Sequence, residues 1–195
     1  MDEAQKPAAI QTSKQLMLEH LKVAPGEAIL EVGCGPGTDL FGLAELVGPM
    51  GRLVGLDASE VMVAEARRRA AALGAPIVFE LGDVQALPFE DGSFDACRAS
   101  RLLEHLPGAE LALSEMARVT RPDGRIVVFD FDWDTLVIDH PDKPTTRTMV
   151  LSYADSIRNG WIGRQLPRLF KEQHLDVRSF DPVQVFVHYA LSAAT

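Results

Sequence analysis

A doubly wound α/β fold, with a mostly parallel sheet and helices on both faces, is predicted by three observations. Short apolar runs alternate with helix-like stretches from Ala28 to Phe131, the βαβ rhythm of strands joined by crossover helices. The first three runs carry an acid at or just beyond their end, Glu31, Asp57 and Asp83. Gly33, Gly35 and Gly37 follow the first run at alternate positions, directly before a helix. Glycine there permits a sharp turn and close ligand approach, and the helix that follows offers free N–H groups. The architecture is Rossmann-like, and ligands of such sheets sit outside the carboxyl ends of the strands, where Gly33, Asp57, Asp83, Ser100 and Asp130 fall.

In order, the chain reads as an amphipathic helix from Thr12 to Leu21, stopped by Val23-Ala24-Pro25-Gly26, and a strand from Ala28 to Val32. A helix from Asp39 to Val47 follows the glycine loop, then a strand from Leu53 to Leu56 ending at Asp57. Ser59 caps a helix from Glu60 to Leu73. Strands follow at Ile77 to Leu81 and Phe94 to Ala99, with Pro88-Phe89 and Asp91-Gly92 as turn chemistry between them. A helix from Ala109 to Thr120 leads through a turn, Arg121-Pro122-Asp123-Gly124, into a strand from Arg125 to Phe131. The rhythm then breaks at Trp133 to Asn159, which holds a helical stretch from Thr145 to Ile157. A helix from Ile162 to His174 precedes a β-rich run from Val177 to His188, with Pro182 marking a bend.

The 195 residues suit one domain, 1–195, with an insertion at about 133–160 that is either a surface excursion or, as the resemblance given below implies, lid-like. Only one strand-like run follows residue 174; by the pattern of the family this chain resembles, given below, a final antiparallel strand is expected to be missing, because the chain is truncated at its C-terminal end or because its last edge is made by other means. An exposed sheet edge would result, and either a homodimer through that edge or reduced solubility is expected. The net charge of −9 disfavours a nucleic-acid surface, and Arg67-Arg68-Arg69 reads as a solvated helix face. Two cysteines make no disulfide framework, and no metal-ligand motif is present in the sequence. Without a signal pattern or a membrane-spanning run, the protein is expected to be cytoplasmic.

Asp57 stands twenty residues after Gly37, the spacing at which a carboxylate meets ribose hydroxyls in a Rossmann-like unit. With it come Glu31-Val-Gly33-Cys-Gly35-Pro-Gly37, Asp57-Ala58-Ser59, Gly82-Asp83, Pro88-Phe89 with Phe94-Asp95, Glu104-His105-Leu106-Pro107 and Arg121-Pro122-Asp123-Gly124-Arg125. Over roughly residues 10–190 this set resembles the class I S-adenosylmethionine-dependent methyltransferases, in particular the small-molecule branch that includes the ubiquinone- and menaquinone-type enzymes.

The resemblance implies methyl transfer from S-adenosylmethionine to a small-molecule acceptor, leaving S-adenosylhomocysteine. It implies that Gly33, Gly35 and Gly37 pack on the methionine part, with Glu31 fixing the loop or reaching the amino group. Asp57 and Ala58 would meet the ribose, and Asp83 the adenine amino group with Val84 alongside. Met62 would either pack on the nucleoside or belong to the helix core. His105 matches a position that some relatives use as a general base, with Asp130 or Asp132 assisting; the alternative is a histidine that organises its loop. Trp133, Tyr153, Arg158, Trp161 and Arg164 are acceptor-pocket candidates by location. A non-catalytic S-adenosylmethionine-binding protein is the competing reading. An NAD(P)-dependent dehydrogenase is disfavoured, because its fingerprint needs glycine where this chain has Thr38.

Overall fold

Five parallel strands, ordered β3-β2-β1-β4-β5, organise the computed structural model, which describes residues 8–138 and 141–183. The strands are β1 (Ala28–Val32), β2 (Arg52–Asp57), β3 (Ile77–Leu81), β4 (Phe94–Ser100) and β5 (Thr120–Phe129). The helices are α1 (Ala8–Leu21), α2 (Thr38–Val47), α3 (Glu60–Leu73), α4 (Ala109–Val119), α5 (Lys143–Ser156) and α6 (Ile162–Glu172), with short 3-10 turns at Leu103–His105 and Trp133–Thr135. The chain winds outward from β1 to β3, then crosses back to β4 beside β1. That reversal places the topological switch point, and its crevice, between β1 and β4.

Alternation along the strands divides the core in two. Ile29, Leu53 and Ala96 pack with Leu21 of α1, Leu40 and Leu43 of α2 and Val63 of α3 on one face. Leu30, Val32, Cys97 and Ala99 pack with Leu113 and Met116 of α4 and Leu166 and Leu169 of α6 on the other. Both faces are therefore covered, as a parallel sheet requires. α3 begins where the Ser59 side chain accepts from the Met62 N–H, and ends at Gly74, whose φ of 62° is left-handed.

Two expectations are corrected. β5 starts at Thr120, so Arg121-Pro122-Asp123-Gly124 lies within the strand rather than before it. The ladder jumps from Phe94↔Thr120 to Ala96↔Arg125, and the surplus residues form an irregular bulge with Asp123 at φ +61°. Thr120 is tied back by its hydroxyl to Met116 O (2.7 Å), so the chain enters the sheet directly from α4. Second, the Val177 to His188 run does not begin as a strand. Residues 177–183 carry no strand pairing, and Asp181 is instead held by His20 of α1 (2.8 Å); the rest of that run lies outside the described residues. Among the described residues no helix is long and apolar enough to cross a membrane.

Candidate functional site

The loop after β1 is shaped by left-handed glycines. Gly35 has φ +52° and nothing within 4 Å of the place a Cβ would occupy, so its outer side is open. Gly37, at φ +74°, is closed: a Cβ there would meet the Phe79 ring at 2.6 Å. One glycine is needed for approach from outside and the other for packing, which is why alanine suits neither. Asp57, at the end of β2, clamps this loop. Its Oδ2 accepts the Gly35 N–H and its Oδ1 the Ser59 N–H, both at 2.8 Å. Each oxygen retains a second lone pair for a ligand hydroxyl.

The other expected donor-side residues lie along the same strand ends. Ala58, Met62 and Asp83 are exposed, Gly33 and Ser100 are half-buried, and Val84 is buried. Asp83 Oδ1 accepts the Gln85 N–H (2.9 Å), and Gly82 N–H donates to Asp57 O (3.1 Å), which ties the β3 end to the β2 end. Met62 is therefore not helix core.

Glu31 is more deeply placed than the sequence indicates. It pairs directly with Arg98 across the β1–β4 ladder, and both side chains point to the face covered by α1 and α2. Arg98 Nε lies 3.2 Å from Glu31 Oε1, and Arg98 Nη2 donates to Asp39 Oδ2 at 3.1 Å. Lys14 of α1 pairs with the other Asp39 oxygen. Burial pushes the Glu31 carboxyl up to about 7, with Arg98 pulling it down and Asp39 adding to the rise. Glu31 Oε2 and Arg98 Nε are buried without a hydrogen bond; an orphaned buried group costs about 1–3 kcal/mol. Arg98, Asp39 and Lys14 escaped the sequence reading. A charge two residues after Ala96, on the same face of a strand whose neighbouring residues Ala96, Cys97 and Ala99 are apolar, was the available signal.

At the ends of β4 and β5 the expected acids and His105 are distributed differently. Asp130 is buried, and its oxygens accept the N–H groups of Leu103 (3.1 Å) and Glu104 (3.3 Å), so it shapes the 3-10 turn that carries His105. Burial, and then the nearby Glu104 charge, raise the Asp130 carboxyl to about 7. Asp132 is bound bidentately by Arg164 at 2.5 and 2.8 Å. The carboxylate beside His105 is Glu104: His105 Nε2 lies 3.3 Å from Glu104 Oε1, with the imidazole largely exposed. The other Glu104 oxygen accepts from Trp133 Nε1 at 2.6 Å. Asn159 pins the excursion to the same turn, donating to Leu103 O (2.8 Å) and Leu106 O (2.6 Å). Phe129, Phe131, Trp133 and Tyr153 form a continuous aromatic series with neighbouring centroids 4.8–5.4 Å apart. Trp161 and Arg158 are exposed, and the Arg164 guanidinium lies 4.9 Å from the Trp161 ring centre.

These features suit S-adenosylmethionine. The open Gly35 backbone, the Asp57 carboxylate and the unpartnered Glu31 oxygen supply a surface for close approach, an acceptor for a diol and an acceptor for an ammonium group.

Relatives agree. The chain is 45% identical over 184 residues to an uncharacterized 37.1 kDa transposon protein of Streptomyces fradiae, covering 94% of this chain and 53% of that protein. It is 42% identical over 118 residues to the demethylmenaquinone methyltransferase of Beutenbergia cavernae, covering 60% of this chain and 46% of that enzyme. The chain thus spans about half the length of these curated relatives. A SAM-dependent methyltransferase from Aquifex aeolicus shares the fold, with a TM-score of 0.68 at 18% identity, over 88% of this chain and 84% of that one. The family model described as a methyltransferase domain matches residues 24–174, and the chain accordingly belongs to the methyltransferase-domain family.

Proposed function

We propose that the protein transfers the methyl group of S-adenosylmethionine to a small, ring-bearing acceptor held at the ends of β4 and β5. The observation that carries this reading is that the Asp57-clamped glycine loop and the turn bearing His105 and Glu104 follow the carboxyl ends of neighbouring strands β1 and β4, with Leu102 packed against Gly33. The bound cofactor supplies a methyl group already activated for displacement. The chain's own task is then positioning and exclusion of water, since effective molarity alone contributes up to about 7–11 kcal/mol. The aromatic series from Phe129 to Tyr153 offers flat apolar surface for a ring. For a hydroxyl acceptor His105 takes the proton: Nε2 faces Glu104, which leaves Nδ1 as the accepting nitrogen. The segment 133–160, fastened by Trp133 and Asn159, acts as a lid. The demethylmenaquinone methyltransferase likeness supports a quinol-type acceptor class.

The experiment is a screen of phenolic, quinol and aliphatic hydroxyl acceptors that reads S-adenosylhomocysteine release. Turnover confined to ring-bearing hydroxyl acceptors is expected; tight S-adenosylmethionine binding without turnover on any of them would favour a non-catalytic binding protein.

A small-molecule rather than nucleic-acid acceptor is supported by the net charge of −9, and a cytoplasmic setting by two buried cysteines that form no disulfide with one another. Assembly follows from the edge of the sheet. Among the described residues β5 is unpaired on its outer side, along a groove of about 2080 Å³ between α1, α6 and residues 174–183. A second copy of the chain pairs there, because an open strand is a template for another strand. Sedimentation should report a homodimer at micromolar concentration, and a monomer throughout that range overturns the assignment.

A further inference from the structure

We propose that Arg98, bridging Glu31 and Asp39 with Lys14 of α1 behind them, is a positioning residue for the amino-acid end of the cofactor: it holds the Glu31 carboxylate where the ligand ammonium is received. The proposal rests on the methyltransferase reading. Arg98 is 2% exposed and sits on β4 directly opposite Glu31 of β1, across the switch point of the sheet. Its guanidinium touches three elements, meeting Glu31 at 3.2 Å, Asp39 of α2 at 3.1 Å and Met17 Sδ of α1 at 3.9 Å. With Lys14 on Asp39, two carboxylates face two cations. The charges balance, but the hydrogen bonds do not: Glu31 Oε2 has no donor within the protein. Buried carboxylate oxygens are almost always satisfied, so the vacant acceptor matches a donor brought by a ligand. Two residues onward the backbone turns at Gly33, and Gly35 beyond it is open to the outside. An α-amino acid group is the part of this cofactor that carries a positive donor.

Arginine rather than lysine fits the position, because one planar fork can hold carboxylates on two different elements. Lys14 extends the same chain of charges into α1, so seating of that helix, which packs against β5, is coupled to the placement of Glu31. The groups acting on Glu31 are Arg98 of β4, Asp39 of α2 and Lys14 of α1. The thiols of Cys34 and Cys97 are pushed up by burial and stay neutral. The Glu31 carboxyl is raised to about 7, and the ligand ammonium needs its ionised form. Affinity is therefore full above that range and is lost as pH falls through it. Without Arg98 the loss begins at higher pH.

The test compares two ligands by calorimetry. S-adenosylhomocysteine has the amino-acid end; 5′-methylthioadenosine shares the nucleoside and lacks it. Arg98→Met should weaken S-adenosylhomocysteine at least about tenfold, leave 5′-methylthioadenosine within about twofold, and move the pH dependence of the former upward. Arg98→Lys should recover part of the loss. Glu31→Gln, which keeps shape and removes charge, should flatten the pH dependence between about 6 and 8 and serves if Arg98→Met does not fold. Equal weakening of both ligands overturns the proposal in favour of a structural role, and unchanged S-adenosylhomocysteine affinity overturns it outright. If the unaltered protein binds neither ligand, the methyltransferase reading falls with it.

Discussion

Asp57→Ala is expected to weaken S-adenosylmethionine binding at least about tenfold. Each charge-assisted hydrogen bond to a ligand hydroxyl contributes about 1.5–3 kcal/mol, and 1.4 kcal/mol is a factor of ten. The structure adds a second loss. Asp57 already holds the Gly35 and Ser59 N–H groups at 2.8 Å, so alanine also releases the loop whose open face receives the ligand. Asn is no remedy. Its amide would set N–H donors against one of those backbone donors, so Asp57→Asn should resemble Asp57→Ala more than the parent. Calorimetric titration of both variants checks this, and parental affinity in Asp57→Asn would show that neither the clamp nor the charge matters. On this proposal the same position serves folding and binding through different lone pairs of one carboxylate.

Patterns that operate within one element were readable from the chain. The glycines before α2, the Ser59 cap and the apolar strand from Ala28 to Val32 depend only on local backbone geometry, and each is found where the sequence places it. What escaped are contacts between elements distant in the chain. Nothing local to Arg98 names Glu31, sixty-seven residues earlier, as its neighbour; only the register of β1 on β4 does. Asn159 looks like an ordinary turn residue until its amide is seen on Leu103 and Leu106. The start of β5 was misread because proline and glycine in Arg121-Pro122-Asp123-Gly124 are equally at home in a turn and in an edge bulge. Among the described residues, 177–183 pair with no strand through which β-propensity could act, and side-chain contacts such as Asp181 with His20 hold the segment instead.

His105→Ala should lower kcat about 10²- to 10⁴-fold with a hydroxyl acceptor while leaving cofactor affinity unchanged. The sequence placed Asp130 or Asp132 behind this histidine. In the structure Asp130 accepts the Leu103 and Glu104 N–H groups, and Asp132 is occupied by Arg164, so the orienting role we propose belongs to Glu104, 3.3 Å from His105 Nε2 and fixed on its other oxygen by Trp133. A base oriented by a buried carboxylate keeps one nitrogen turned to its substrate, and loss of the orienter costs rate without removing the base. Glu104→Gln should therefore reduce kcat less than His105→Ala does, and the double variant should be no slower than His105→Ala alone, because the two act as one unit. Asp130→Asn acts differently. One of its oxygens becomes an N–H facing a backbone donor, so it should lower the melting temperature through the 3-10 turn, and it should slow turnover only to the extent that the turn loosens. A purely loop-organising His105 predicts the opposite pattern: His105→Ala would melt earlier yet transfer methyl groups at the parental rate once temperature is matched to stability. Rate, affinity and melting measured on these variants with one competent hydroxyl acceptor separate the roles, and a near-parental kcat in His105→Ala removes the base from the mechanism.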